Sequence, residues 1–288
     1  MSRSNWHGHL ELEYGNTDLA TKLVHTHTQA PFRMQRPFYP EGDRICHSII
    51  VHTAGGVVGG DRLTSQIKLQ PNTHALITNA AAAKIYRSNG QIAVQETKIT
   101  VGAGACLEWL PQETIVFAGA DYTQKLRIDL EPKALWLGWD LTRFGRTARG
   151  EVFCPGQWRS HCEIWQAGKP IWCDRQRLVG QMELLESSNG LARKAILGSL
   201  VLAGQPANPE IIAQIKQAWL AIVSAEQNLI NYADASIHDA GVTSTILGLV
   251  CRYRGNSSHL AKQWFKQIWQ LLRSAYLELP VCQPRVWQ

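Results

Sequence analysis

Between residues 10 and 185 the apolar positions recur at every second residue, in short runs. RLTSQIKLQ sets Leu63, Ile67 and Leu69 on one face, QKLRIDL does so with Leu126, Ile128 and Leu130, and ALWLGWDLT with Leu135, Leu137, Trp139 and Leu141. Alternation of period two, cut by Gly, Pro and Asn turns, predicts strands. In IAVQETKITV the pairs Ile92/Val94 and Ile99/Val101 are out of phase, which predicts a bulge or a sheet corner. CEIWQAGKPIWCD reads as a hairpin turning at Ala167-Gly168, with Cys162 opposite Cys173.

After about residue 190 the period changes. NPEIIAQIKQAWLAIVSAEQNL carries Ile211, Ile212, Ile215, Ala218, Trp219, Ile222 and Val223 on one broad helical face, with Asn208 as N-cap and Pro209 in the first helical position. GVTSTILGLVCRY reads as a final buried strand. SSHLAKQWFKQIWQLLRSAYLEL predicts a second helix through Leu260, Trp264, Ile268, Leu272 and Ala275, capped by Ser257 or Ser258. The expected fold is mainly β, a strand-rich body over about 10–190 with two helices within 191–288. With no Pro/Ser linker and no fixed repeat, residues 1–288 read as a single domain.

Composition narrows the class. Hydrophobic residues make up 45% and charged ones 18%, enough for a packed core and too apolar for disorder. The net charge of +6 is scattered, with no run of five basic residues and no nucleic-acid signature, so an acidic protein partner fits it as well as nucleic acid does. The opening MSRSNWHGHLELEYG has no apolar leader core, and no apolar stretch reaches 18 residues, so no membrane contact is expected. Seven widely spread cysteines suit reduced thiols, and a cytoplasmic location is expected.

The glycine run HTAGGVVGGD first suggests a phosphate cradle. Gly55 and Gly60 have the Walker separation, but Asp61-Arg62 stands where Lys-Ser should follow, and an aspartate there repels phosphate. Paired glycines also serve sharp turns and close backbone approach. HGH (His7, His9) and HTH (His25, His27) place imidazoles on one strand face, where either pair could chelate a transition metal, and Cys46-His47 adds a thiol. No H-E-x-x-H or C-x-x-C occurs, which argues against a closed zinc site. Cys162 and Cys173 could form a weak site or an oxidisable pair, though a reducing compartment makes incidental placement the plainer reading. In WDLTRFGRTARGE, Arg143, Arg146 and Arg149 are spaced by three between Asp140 and Glu151. That is either a solvated turn with local ion pairs or a polar channel that conducts ions or anchors a partner.

YPEG followed by CH, HTAGGVVGGDRL, AAAKIYRS, LEWLPQETIVFAGA, GWDLTRFGRTARGE and GKPIWCDRQRL occur in this order. Together they resemble the UreD family (UreH in some organisms) of urease accessory proteins, from about residue 10 to about 275. The resemblance implies a stacked-strand, β-helix-like body with a pair of helices, and a non-enzymatic scaffold. Such a scaffold binds apo-urease and UreF, UreF recruits the GTPase UreG, and nickel passes through an internal polar tunnel. Nickel would then be in transit, with no cofactor held tightly. Weak oxygen or imidazole ligands suit that task, because one tight site would trap the ion. The acids within the matched motifs, Asp61, Glu113, Asp140 and Glu151, are the expected transient ligands, with Thr53, His47 and His52 as weaker additions. Arg146 and Arg149 would orient the acids, and Gly55, Gly56, Gly59 and Gly60 would turn the chain to present Asp61. On composition alone, Trp264 and Trp269 are expected at the UreF contact. A metal-assisted hydrolase acting through PQETI or GRTARGE lacks a nucleophile or an organised metal, and a nucleic-acid binder would rest on the net charge alone.

Overall fold

The alternating runs form strands that the chain lays down in turn on two facing sheets. The structure, a computed structural model, describes residues 6–17, 20–229 and 238–287. In chain order the first strands are β1 (His7–Thr17), β2 (Ala20–Gln29), β3 (Phe32–Met34), β4 (Ile45–His52), β5 (Arg62–Leu69), β6 (His74–Asn79), β7 (Ala83–Ile85), β8 (Ala93–Val101) and β9 (Cys106–Trp109). Then come β10 (Thr114–Val116), β11 (Asp121–Leu130), β12 (Leu135–Phe144), β13 (Gln157–Gln166) and β14 (Lys169–Val179). A short helix α1 (Met182–Glu186) leads to β15 (Ile196–Ala203), α2 (Pro209–Leu229), β16 (Asp239–Thr245), β17 (Gly248–Gly255) and α3 (Ser258–Leu272).

One sheet runs β14-β13-β11-β8-β5-β1-β2, and the other runs β16-β17-β15-β12-β9-β6-β4-β3. Within the first, β1, β5, β8, β11 and β13 pair in parallel. In the second, β4, β6, β9 and β12 do the same. Successive strands thus cross between sheets and stack on their predecessors, a solenoid of about four turns. Antiparallel hairpins flank it, and the second sheet extends as β15 pairs with β12 and β17 with β15.

Both faces of the second sheet are covered. Trp136 and Phe144 of β12 join the core between the sheets, whereas Leu135, Leu137, Trp139 and Leu141 join the core beneath α2 and α3. The helices are held by their apolar faces. Ile211, Ile215 and Ile222 of α2 and Leu260, Phe265 and Ile268 of α3 are buried, and each such side chain contributes roughly 1.5–3 kcal/mol. The expected caps form: Asn208 Oδ1 accepts from the Glu210 amide at 2.9 Å, and Ser257 Oγ accepts from the Leu260 amide at 3.2 Å.

Four expectations are corrected. β8 pairs in unbroken register with β5 and β11, so IAVQETKITV has no bulge. Its inward phase is Ala93, Thr97, Ile99 and Val101, while Ile92 precedes the strand and is exposed. The hairpin does turn at residues 167–168, but a bulge at Ile164/Trp165 slips the register by one residue. Cys162 therefore opposes Asp174, Cys173 opposes Glu163, and the two thiols lie on opposite faces. GVTSTILGLVCRY is a hairpin of two strands, β16 and β17, with Ile246 exposed at its turn. Trp264 and Trp269 are not on a partner-facing surface. Both are buried in the helix core, at 1% and 0% exposure, because α3 turns its whole apolar stripe onto the sheet.

Candidate functional site

The space between the sheets is not filled by apolar side chains throughout. It holds a cavity of about 330 Å³, whose polar wall includes Gln95, Gln124, Asp140, Ser160, Asp174 and Ser199. Ser160 of β13 pairs with Gln176 of β14, and Cys162 with Asp174. Across the gap, Asp140 of β12 pairs with Ser199 of β15. Polar residues thus occupy the inward phase of several adjacent strands at one level. Trp109, Trp136 and Trp172 supply the apolar part of the wall.

Two carboxylates face this space. Asp140 Oδ2 accepts from Gln124 Nε2 at 3.1 Å and from Thr142 Oγ1 at 3.3 Å. Burial pushes its carboxyl above the ordinary range, the two hydrogen bonds oppose that, and the nearby Asp174 charge adds to it. Asp174 Oδ2 accepts from Gln176 Nε2 at 2.6 Å and from Arg252 Nη1 at 2.8 Å. Burial, with Asp174 and Asp140 adding, pushes the Cys162 thiol far up, so it stays protonated beside them. Asp174 and Arg252 escaped the sequence reading, although GKPIWCDRQRL, one of the resembling stretches, contains Asp174.

Of the other expected residues, His52, Gly55 and Gly56 also line the cavity. Gly56 is there because Val57 hydrogen-bonds to the Lys84 carbonyl, and a Cβ on Gly56 would lie 2.6 Å from that oxygen. Gly59 faces the same limit against the Gln91 carbonyl at 2.7 Å, and Gly60 has φ of +92°. Gly56→Ala is expected to cost about 1–3 kcal/mol by forcing the loop off β7, read as a lowered midpoint in urea unfolding.

Asp61 is outside the cavity wall. Its carboxylate is buried and closes the glycine loop, accepting from the Trp6 and Val58 amides, both at 2.9 Å. Glu151 also belongs to a loop. It takes the Ala118 amide at 3.0 Å and Arg146 Nε at 2.6 Å, and despite burial these bonds hold its carboxyl below the usual range. Arg146 stacks on Phe117, whereas Arg149 is exposed in a single 3₁₀ turn. Glu113 meets Lys262 Nζ at 3.7 Å. His47 sits on the helix-facing side of β4, bonded to Glu41 at 2.6 Å, and Thr53 donates to the Pro31 carbonyl. The structure thus brings Asp140 and His52 to one cavity and disperses Asp61, Glu113 and Glu151 around it.

The paired histidines meet across β1 and β2. Glu11 takes His9 Nε2 at 2.7 Å and His25 Nε2 at 3.4 Å, with the His27 ring 5.9 Å from that of His9. Among the described residues no three His, Cys, Asp or Glu side chains are grouped to hold a metal. Nor is any helix among them long and apolar enough to cross a membrane.

A family model described as UreD urease accessory protein matches residues 7–288. A protein of Nostoc sp. named Urease accessory protein UreD is 53% identical over 283 residues, covering 98% of this chain and 96% of its own length. Proteins of the same name are similar in Acaryochloris marina, at 49% identity over 99% of this chain and 96% of theirs, and in Thermosynechococcus vestitus, at 46% over 99% of both.

Proposed function

The chain belongs to the UreD family of urease accessory proteins, and on that premise we propose that it serves urease maturation as a non-enzymatic scaffold that passes nickel through the inter-sheet cavity. It works in the cytoplasm beside UreF, UreG and the urease structural subunits. The observation that supports this reading is Asp140, a carboxylate half-buried in the cavity wall among neutral oxygens from Gln124, Ser160 and Ser199. A divalent cation gains attraction from Asp140 and Asp174 and can exchange water for amide and hydroxyl oxygen. The protonated Cys162 thiol is a poor ligand, so the wall offers weak, exchangeable sites rather than a trap. Accessory proteins of this kind need no nucleotide loop of their own when a separate GTPase supplies one, and Asp61 replaces the lysine such a loop requires.

Co-expression with the urease subunits, UreF and UreG, followed by capture on this chain, tests the reading. UreF, UreG and urease subunits should be recovered with nickel in the complex. Capture of none of them would overturn it.

A further inference from the structure

The cavity has a second hollow beside it, of about 300 Å³, lined by Asp239, Ala240 and Gly241 of β16 together with residues of β15 and β17. Gln176 and Ser199 line both spaces, while Arg252 lines the hollow and reaches Asp174 of the cavity wall. Those side chains therefore form the partition between them. The partition lies where β14, at the edge of the first sheet, faces β17, next to the edge of the second. Arg252 Nη1 bridges the sheets, donating to Asp174 Oδ2 at 2.8 Å and to Ser199 Oγ at 2.6 Å. Its guanidinium lies 5.8 Å from the Trp172 ring.

Resting on the nickel-path reading above, we infer that Arg252 is the gate between the two spaces. Its fixed positive charge bars cations from the cavity while it occupies Asp174, and its withdrawal frees Asp174 as an oxygen ligand for an entering divalent cation. Several observations converge on a movable latch. The Arg252 side chain is 42% exposed, so packing does not clamp it. Gly241 stands opposite it on β16, and no atom lies within 4 Å of where a Cβ on Gly241 would sit, which leaves room on the outer side. The acid lining the hollow, Asp239, is engaged by Lys194 at 2.6 Å and by Arg254 at 2.7 Å, whereas Arg252 covers Asp174 of the cavity wall. A guanidinium keeps its charge at every pH the protein meets, so only movement can open the barrier.

Cys162 lines the cavity next to Asp174 and reports on the gate without nickel. The purified full chain is treated with a cationic thiol reagent, 2-aminoethyl methanethiosulfonate, or a neutral one, methyl methanethiosulfonate. Peptide mass mapping then follows Cys162 alone. The ratio of the two rates cancels the thiol's own reactivity. In the natural chain the ratio should fall below that for free cysteine, although carboxylates flank the thiol. In Arg252→Gln it should rise about tenfold or more, and in Arg252→Lys it should stay near the natural value. A ratio at or above that of free cysteine in the natural chain would overturn the gate even if the Gln variant failed to fold. So would a change below about twofold in Arg252→Gln, or an equal rise in Arg252→Lys. Urease activation by Asp140→Asn separates the two ideas. Intact activation with the expected ratios sinks the conduit and leaves the cation barrier standing, while lost activation with unchanged ratios sinks the gate alone.

Discussion

Asp140→Asn is expected to leave the chain folded, and more stable, while lowering nickel-dependent urease activation by about tenfold or more. Burial, with the Asp174 charge adding to it, holds the Asp140 carboxyl above its ordinary 3.8 against the hydrogen bonds from Gln124 and Thr142. The folded chain therefore binds that proton more tightly than the unfolded chain does. Stability rises as pH falls through the raised folded value, and above it the ionised group is a burden. Asparagine removes the burden at neutral pH and can still accept from Gln124 through its carbonyl oxygen. Loss of function with a gain in unfolding midpoint cannot be ascribed to misfolding. The same raised pKa sets a direction in pH: activation reconstituted with purified components should decline at a pH where an ordinary carboxylate is still charged, because the protonated form does not attract the cation.

Glu108→Leu should be the most damaging single change to stability, at about 3–5 kcal/mol. Glu108 is fully buried on the helix-facing side of β9. Its carboxylate takes His74 Nε2 at 2.7 Å, accepts from Trp269 Nε1, and lies 3.5 Å from Arg273 Nε. Arg273 in turn donates to Glu41 at 2.6 Å, and Glu41 meets His47. Burial favours neutral His74, yet Cys106 and Glu108 beside it push its pKa up to about 10. Two carboxylates thus balance a guanidinium and an imidazolium, and removing Glu108 strands a buried positive charge. Adding Arg273→Met to Glu108→Leu should recover much of the loss, since removing both partners is far milder than removing one. The contribution of His74 is complete below its ordinary 6.5 and is lost as pH rises to about 10. That of Glu108, whose pKa is lowered against the pull of burial by its partners, is present above 4.5 and is lost as pH falls through the lowered value. Urea unfolding between pH 6.5 and about 10 should show a decline in the natural chain that Glu108→Leu flattens.

Local chemistry was legible in the sequence. Asn208 and Ser257 cap their helices because capping needs only the next few residues, and Leu126, Ile128 and Leu130 keep one strand face because alternation is local. What the period could not say was which side of a doubly covered strand meets what. In β12 both phases are buried, so the obvious Leu135–Leu141 series marks the helix side, and the functional side is the quieter Gly138 and Asp140. A single bulge moved Cys173 away from Cys162, and no turn residue announced it. The remaining misses are long-range. Arg252 reaches Asp174 across 78 positions, and Trp269 reaches Glu108 across 161. A tryptophan that composition alone sends to an interface is in fact paired with a buried acid. Asp61 looked like a presented ligand because its neighbours in sequence are glycines, but the loop they turn folds back on it, and the Val58 and Trp6 amides donate to its carboxylate instead.

The proposed nickel path runs between the sheets past Asp140. Crystals of the activation complex soaked in a nickel salt, with anomalous scattering recorded at the nickel edge, test it most directly. A peak is expected inside the cavity within coordination distance of the Asp140 carboxylate, and it should be lost in Asp140→Asn. Nickel found only at the His9, Glu11 and His25 group on β1 and β2, with none between the sheets, would contradict it.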